Sequence, residues 1–320
     1  MMAVGAAALW GLDEADPAAP VEPETPGQDF ADPVEETGAS PSVTEIATGD
    51  GDPDMDDYRV GVGTDDADVL VGSEYQDLLN GYDGDDLVQA GDGNDEARGG
   101  DGDDTVSGGA GDDTVHGDAG NDTLTGDTGD DTLYGHDGAD QMDGGAGDDV
   151  LHAGEGDDSL TGGAGDDALH GYLGNDSLAG DAGEDTLFGG DGDDTLDGTA
   201  PDGTESGQDR DFLNGGSGED AITAGQGDIV TAGAGADVIS LTAWTQSDHQ
   251  AEITDFSALE DNLVVFYDDT AGQDPDVEVE HDGENTNMHH VLLNGIRIAD
   301  VYSETGLGLE HITLIPHSAA

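Results

Sequence analysis

The nine-residue period that begins at Gly63 constrains this chain more than any other feature. Gly63 to Asp197 divides into fifteen consecutive nonapeptides without a gap, typified by Gly99-Gly100-Asp101-Gly102-Asp103-Asp104-Thr105-Val106-Ser107. The sixth position is Asp in all fifteen, and the fourth is Gly in every unit from Gly84 onward. The eighth is always apolar, mostly Leu or Val, with Met142 and Ala97 the weakest occupants. Six residues rich in glycine can take positive φ and turn tightly. The remaining three are expected to form a short strand whose middle side chain, at position eight, points inward. Two units then complete one coil, so residues eighteen apart lie above one another and equivalent carboxylates stack at about 4.8 Å.

That stacking cannot stand alone. Two carboxylates at this separation repel by roughly 3 kcal/mol at an effective dielectric of about 20. Each coil buries only two small apolar side chains, too little to offset the backbone entropy lost in ordering eighteen residues. The whole chain makes matters worse: 78 Asp and Glu stand against four Arg and no Lys, a formal net charge of −74. Such a chain reads as a self-repelling polymer unless a cation neutralises it. A hard divalent ion that takes six to eight oxygen ligands, carboxylates and backbone carbonyls among them, reverses the balance, and binding energy becomes folding energy. With no basic patch, nucleic acid is excluded as a partner, and an anionic membrane surface is not expected either. Cysteine is absent, which removes disulfides and thiolate metal sites.

The array occupies 63–240, regular over 63–197 and irregular over 198–240. An interruption from Gly198 to Glu205 contains Pro201 and is expected to loop out. Weaker units follow around Asp211, Asp220, Asp228 and Asp237, and one of them, Ala224 to Thr231, is a residue short. After Ser240 the glycine period stops, and 241–320 shows β-type alternation in Leu263–Tyr267, Val277–Val279 and Val291–Leu293. Asn294-Gly295 then fits a type I′ hairpin turn ahead of Ile296–Val301, and His311–Ile315 makes a last strand. This segment is expected to be a small β domain capping the open end of the array. Ahead of the array, 13–60 is acidic, rich in proline and without apolar periodicity, and reads as a disordered linker. Within it, Asp52–Asp57 superficially resembles the start of an EF-hand, but Asp57 stands where the turn glycine belongs and Gly63 where the bidentate Glu belongs. Met1 to Leu12 is an apolar segment without a basic flank and too short to span a bilayer. It reads as the tail of a signal or anchor, or as a frayed terminus.

The pattern Gly-Gly-x-Gly-x-Asp-x-(apolar)-x is an established repeat of the RTX, or hemolysin-type, calcium-binding proteins, and the array closely resembles that family. The resemblance implies an all-β fold, a parallel β-roll (a β-solenoid) with Ca²⁺ held between stacked turns. The ligands would be the position-six aspartates of both turns, Asp104 with Asp122 for example, together with carbonyls of the glycine-rich loop. The metal residues so assigned are Asp77, Asp86, Asp95, Asp104, Asp113, Asp122, Asp131, Asp140, Asp149, Asp158, Asp167, Asp176, Asp185, Asp194, Asp220 and Asp237. The first two units depart from the pattern, with Asp66 and Tyr75 in place of the fourth-position Gly. Family members typically leave bacterial cells through a type I secretion channel that reads an uncleaved C-terminal signal. The resemblance thus implies a secreted, extracellular or cell-surface protein, although Pro316–Ala320 matches no defined export motif.

Chemistry beyond metal binding is sparse. The chain has no His-Glu-x-x-His, no Gly-x-Ser-x-Gly and no thiol nucleophile, so no catalytic function is expected. His116, His152 and His170 occupy the outward ninth position and are expected to be solvated, with transition-metal binding as the alternative. His289-His290, at a strand start, is expected to be structural. Two functions fit these observations: a calcium-dependent structural or surface protein, and the C-terminal export and folding module of a larger toxin or hydrolase.

Overall fold

In the computed structural model, residues 43–45, 58–200, 210–242, 250–267 and 275–316 are described, all within one compact unit. The Met1–Leu12 segment, the EF-hand-like stretch, most of the interruption around Pro201 and the last four residues lie outside them. Successive strands up to Asn262–Tyr267 alternate between two sheets, which hold thirteen and fourteen strands among the described residues. Thr105–Ala110 pairs in parallel with Leu87–Asp92 on one side and Thr123–Thr128 on the other, so Val106 lies beside Val88 and Leu124. The eighteen-residue coil is therefore the unit of the fold, and the chain is an all-β parallel solenoid.

The irregular part keeps this geometry by shifting its offset. Thr186 pairs with Phe212, twenty-six residues on, an excess that matches the eight of the interruption. Phe212 pairs with Ile229, seventeen on, because the unit between is one residue short. Stacking is thus held by position within the repeat rather than by distance along the chain.

The strands are longer than the three residues expected from the repeat. Thr105–Ala110 spans positions seven to three of the next unit, and only positions four to six turn. Glycine does not end the strand because the ladder runs between coils: Gly102 N donates to Ala119 O at 2.7 Å, keeping backbone groups paired to the edge of the turn. From Gly84 onward glycine is required at position four. Gly102 has φ of 142°, and a Cβ there would strike the Gly84 carbonyl of the coil before it.

Inside the roll, positions six, eight and one are buried in alternation. The position-eight column from Leu70 to Leu196 forms one continuous core, which continues through Leu213, Ile222, Val230 and Ile239. Val43–Glu45 and Tyr58–Val62, inside or at the edge of the stretch expected to be disordered, are strands paired to Val69–Ser73 and Gln76–Asp83. The unpaired edge of the first full coils offers them a ready ladder.

Past the array, Ala251–Ile253 and Ile296–Tyr302 extend one sheet in parallel, and Asn262–Tyr267 and Ile312–Pro316 extend the other. Met288–Leu293 and Val277–His281 then close the larger sheet as antiparallel strands. The Asn294-Gly295 turn has φ of 54° and 78°, as a type I′ hairpin requires. Phe256, Val291, Ile298 and Val301 form the core there. Among the described residues no helix is long and apolar enough to cross a membrane.

Candidate metal centre

The position-six aspartates form two internal columns, one along each edge of the roll. Asp104 is 2 % and Asp122 1 % exposed, values typical of the series. Each carboxylate is fixed by the backbone of the coil before it: Asp104 N donates to Asp122 Oδ1 at 2.8 Å, and Asp113 N to Asp131 Oδ1 at 2.8 Å. The same bond recurs at every step of eighteen residues and survives the changes of offset, as in Asp194 N to Asp220 Oδ1 at 2.9 Å.

The second oxygen is the informative one. Oδ2 is buried without a hydrogen-bond partner in Asp86, Asp95, Asp104, Asp113, Asp122, Asp131, Asp140, Asp149, Asp158, Asp167, Asp176, Asp194, Asp220 and Asp237. A buried carboxylate oxygen without a donor is costly, and a whole column of them requires a cation or a proton. The second coil supplies a further oxygen nearby. A Cβ added at Gly126 would meet both Asp131 Oδ2 and the Gly144 carbonyl, and one at Gly171 would meet Asp176 Oδ2 and the Gly189 carbonyl. Carboxylate and carbonyl oxygens from successive coils thus face one small space, the hard-oxygen set that calcium prefers.

The electrostatics agree. Burial pushes Asp104, Asp122 and Asp167 up to about 7 and Asp86, Asp131 and Asp176 to about 6. The hydrogen bond from the preceding coil opposes the rise, and the charges of neighbouring aspartates add to it. Without a cation, these six aspartates hold protons close to neutral pH.

One of the sixteen assigned residues differs. Asp77 Oδ2 already accepts from Ser73 N at 2.6 Å and Ser73 Oγ at 2.9 Å, and its partnerless oxygen is Oδ1. Asp185 shares the ladder, with its N donating to Asp211 Oδ1 at 2.8 Å. The columns also run beyond the assigned set. Asp68, Asp211 and Asp228 are in register, and Asp261 continues the stack by accepting from Asp237 N at 3.2 Å. Asp261 lies outside the glycine period. Its one signal was the Asp-x-apolar spacing to Leu263, which is buried as the position-eight residues are.

The ninth-position histidines are not simply solvated. His116, Tyr134, His152, His170 and Phe188 lie side by side on successive coils, with ring centroids 4.8 to 5.1 Å apart. Stacking half-buries them and depresses the imidazole pKa values, His116 falling to about 4 through burial, Arg98 and His136.

The model of the RTX calcium-binding nonapeptide repeat matches residues 62–97, 89–124, 116–151, 143–178, 170–200 and 205–228, just over half of the chain. No curated protein matches the sequence. The eighteen-residue coil, the buried aspartate columns and this match give one conclusion: the chain belongs to the RTX calcium-binding nonapeptide repeat family, a structural β-roll whose cofactor is calcium.

Proposed function

We propose that this is a secreted, non-catalytic structural protein whose roll folds when calcium reaches it outside the cell. The observation that carries the reading is the column of buried Oδ2 atoms without a donor. The ions would be held between coils by the aspartates assigned above and by carbonyls of the following coil. Asp261 joins the same columns, and Asp77 contributes through a different arrangement. Sites that work outside cells bind with dissociation constants near 10⁻⁴ to 10⁻³ M as an order of magnitude. At cytosolic calcium the array would stay unfolded and threadable, which suits export by a type I channel. The 241–320 segment would then close the array and carry the export address.

A calcium titration followed by far-UV circular dichroism tests this. The chain should be largely disordered in EDTA and β-rich in millimolar Ca²⁺, with Mg²⁺ a poor substitute because it demands a smaller octahedral site and keeps its waters. A spectrum already β-rich in chelator would refute the coupling of folding to calcium. A submicromolar affinity would refute extracellular folding, because the roll would form before export.

A further inference from the structure

The outer face of the fourteen-stranded sheet holds a second donor cluster, unlike the calcium columns in both place and chemistry. His116 and Asp118 project from Thr114–Ala119, and His136, on Thr132–Asp137, pairs directly with Asp118 in the next coil. His116 Nδ1 is 3.2 Å from His136 Nε2, and His136 Nε2 is 3.6 Å from Asp118 Oδ1. One donor atom from each of the three residues fits within a span of 4.8 Å. Around a zinc ion with bonds of about 2.0–2.1 Å, tetrahedral donors sit about 3.3–3.4 Å apart, so the two measured edges bracket that value. We propose that His116, Asp118 and His136 form a binding site for a divalent transition metal of the zinc type, separate from the calcium columns.

Two imidazoles and one carboxylate suit zinc, copper or nickel rather than calcium, which takes oxygen ligands. His116 is ready for the role, since its depressed pKa leaves the ring neutral at neutral pH. Two of the ligands also occupy a strained position. Asp118 and His136 have φ of 75° and 78° at the second position of the repeat, where seven of the fifteen regular units have Gly and where Tyr82, Asp127, Tyr172 and Asp181 share the same conformation. Non-glycine residues pay of order 1 kcal/mol there, a cost that a shared ligand would offset. His136 also borders an open cleft of about 440 Å³ with Tyr134, His152 and Tyr172, so water can complete the coordination.

Arg98 is the gate of this site. Its Nη2 lies 3.3 Å from His116 Nε2 and its Nη1 3.8 Å from Asp118 Oδ1. Arginine only donates, so His116 Nε2 accepts and the ring proton sits on Nδ1, facing His136. When a metal takes Nδ1, that proton passes to Nε2 and Arg98 swings away to Glu96, its other partner at 3.3 Å. Without metal, the guanidinium competes for the same carboxylate.

The test is calorimetric titration of Zn²⁺ into the full chain held in excess millimolar Ca²⁺, which keeps the aspartate columns filled. One saturable site per chain is expected. His116→Ala and His136→Gly should each weaken it at least about tenfold. Arg98→Met should tighten it severalfold, and His170→Ala should leave it unchanged. His136→Gly introduces the residue that seven of the fifteen regular units have at that position, and circular dichroism in calcium confirms its fold. The absence of a saturable zinc site would overturn the proposal. So would a site that persists in the His116→Ala/His136→Gly double variant, or one lost in Arg98→Met.

Discussion

The regular array and the C-terminal segment share one architecture and support it differently. In the array, every nine residues bury one apolar side chain and one aspartate, as with Val106 and Asp104. From Ala251 onward the same two sheets continue, but the interior is mostly apolar, with Phe256, Leu263, Val265, Val291, Ile298 and Val301 all buried. Parallel coiling therefore does not itself require calcium. The ion is needed where carboxylates take the place of apolar contacts inside the coil, and an ordinary core suffices where they do not.

Calcium removal should break the comparison open most widely. Hydrogen exchange in EDTA should show amides of 99–197 losing protection by orders of magnitude, while those of Ile298–Val301 lose far less. Equal loss in both regions would mean that the apolar segment has no stability of its own.

Single substitutions sharpen the same contrast. Phe256→Ala should cost about 3–5 kcal/mol at saturating calcium without changing the number of ions bound. Asp131→Ala should cost about 1–3 kcal/mol, since it leaves the Asp113 N–H without its acceptor. It should also lose about two ions, those shared with Asp113 and Asp149, and spare the sites of Asp122 and Asp140 on the other edge. Calorimetric stoichiometry and thermal melts separate the two cases.

The smallest effect is with pH, and the two regions should respond in opposite directions. Folded without metal, Asp86 titrates near 6 and Asp104 and Asp122 near 7 instead of 3.8, so the folded roll holds protons that the unfolded chain has released. Metal-free stability of the array is therefore greatest below about pH 4 and is lost as pH rises to about 7. Buried His289 in the C-terminal segment is shifted the other way, below its ordinary value, by burial and by His281 and His290. Its contribution is present above about pH 6.5 and is lost as pH falls. Moving from pH 7.5 to 5 in EDTA should raise amide protection in 99–197, corrected for intrinsic exchange, and lower it around His289. Over the same range calcium should bind at least about tenfold more weakly, because it must displace those protons.

Much of this was legible in the sequence because the repeat sets both coil and register. The offsets of twenty-six and seventeen residues follow from the inserted and missing residues between Asp197 and Thr231. Strand length was not legible, since glycine suggests a turn in a single chain while the ladder that holds it runs between coils. Asp261 escaped because the glycine period stops before it. The ring column was written at eighteen-residue spacing in His116, Tyr134, His152, His170 and Phe188, and the His116–His136 approach two residues beyond that spacing. Each becomes visible only when the coil period is applied to outward positions as well as inward ones.

The aspartate ladder also gives the roll a direction. At every step an amide of the earlier coil grips the carboxylate of the later one, from Asp68 N on Asp86 to Asp237 N on Asp261. A roll cut between coils would thus have two unlike ends, a donor face of amides on one fragment and an acceptor face of carboxylates on the other. Such faces are complementary between separate molecules, and heterologous contacts of this kind do not close on themselves. A roll cut at both ends would carry both faces and, in calcium, would polymerise head to tail. The antiparallel edge strand Val277–His281, with Glu278 and Glu280 turned to solvent, is the kind of charged terminus that stops such growth.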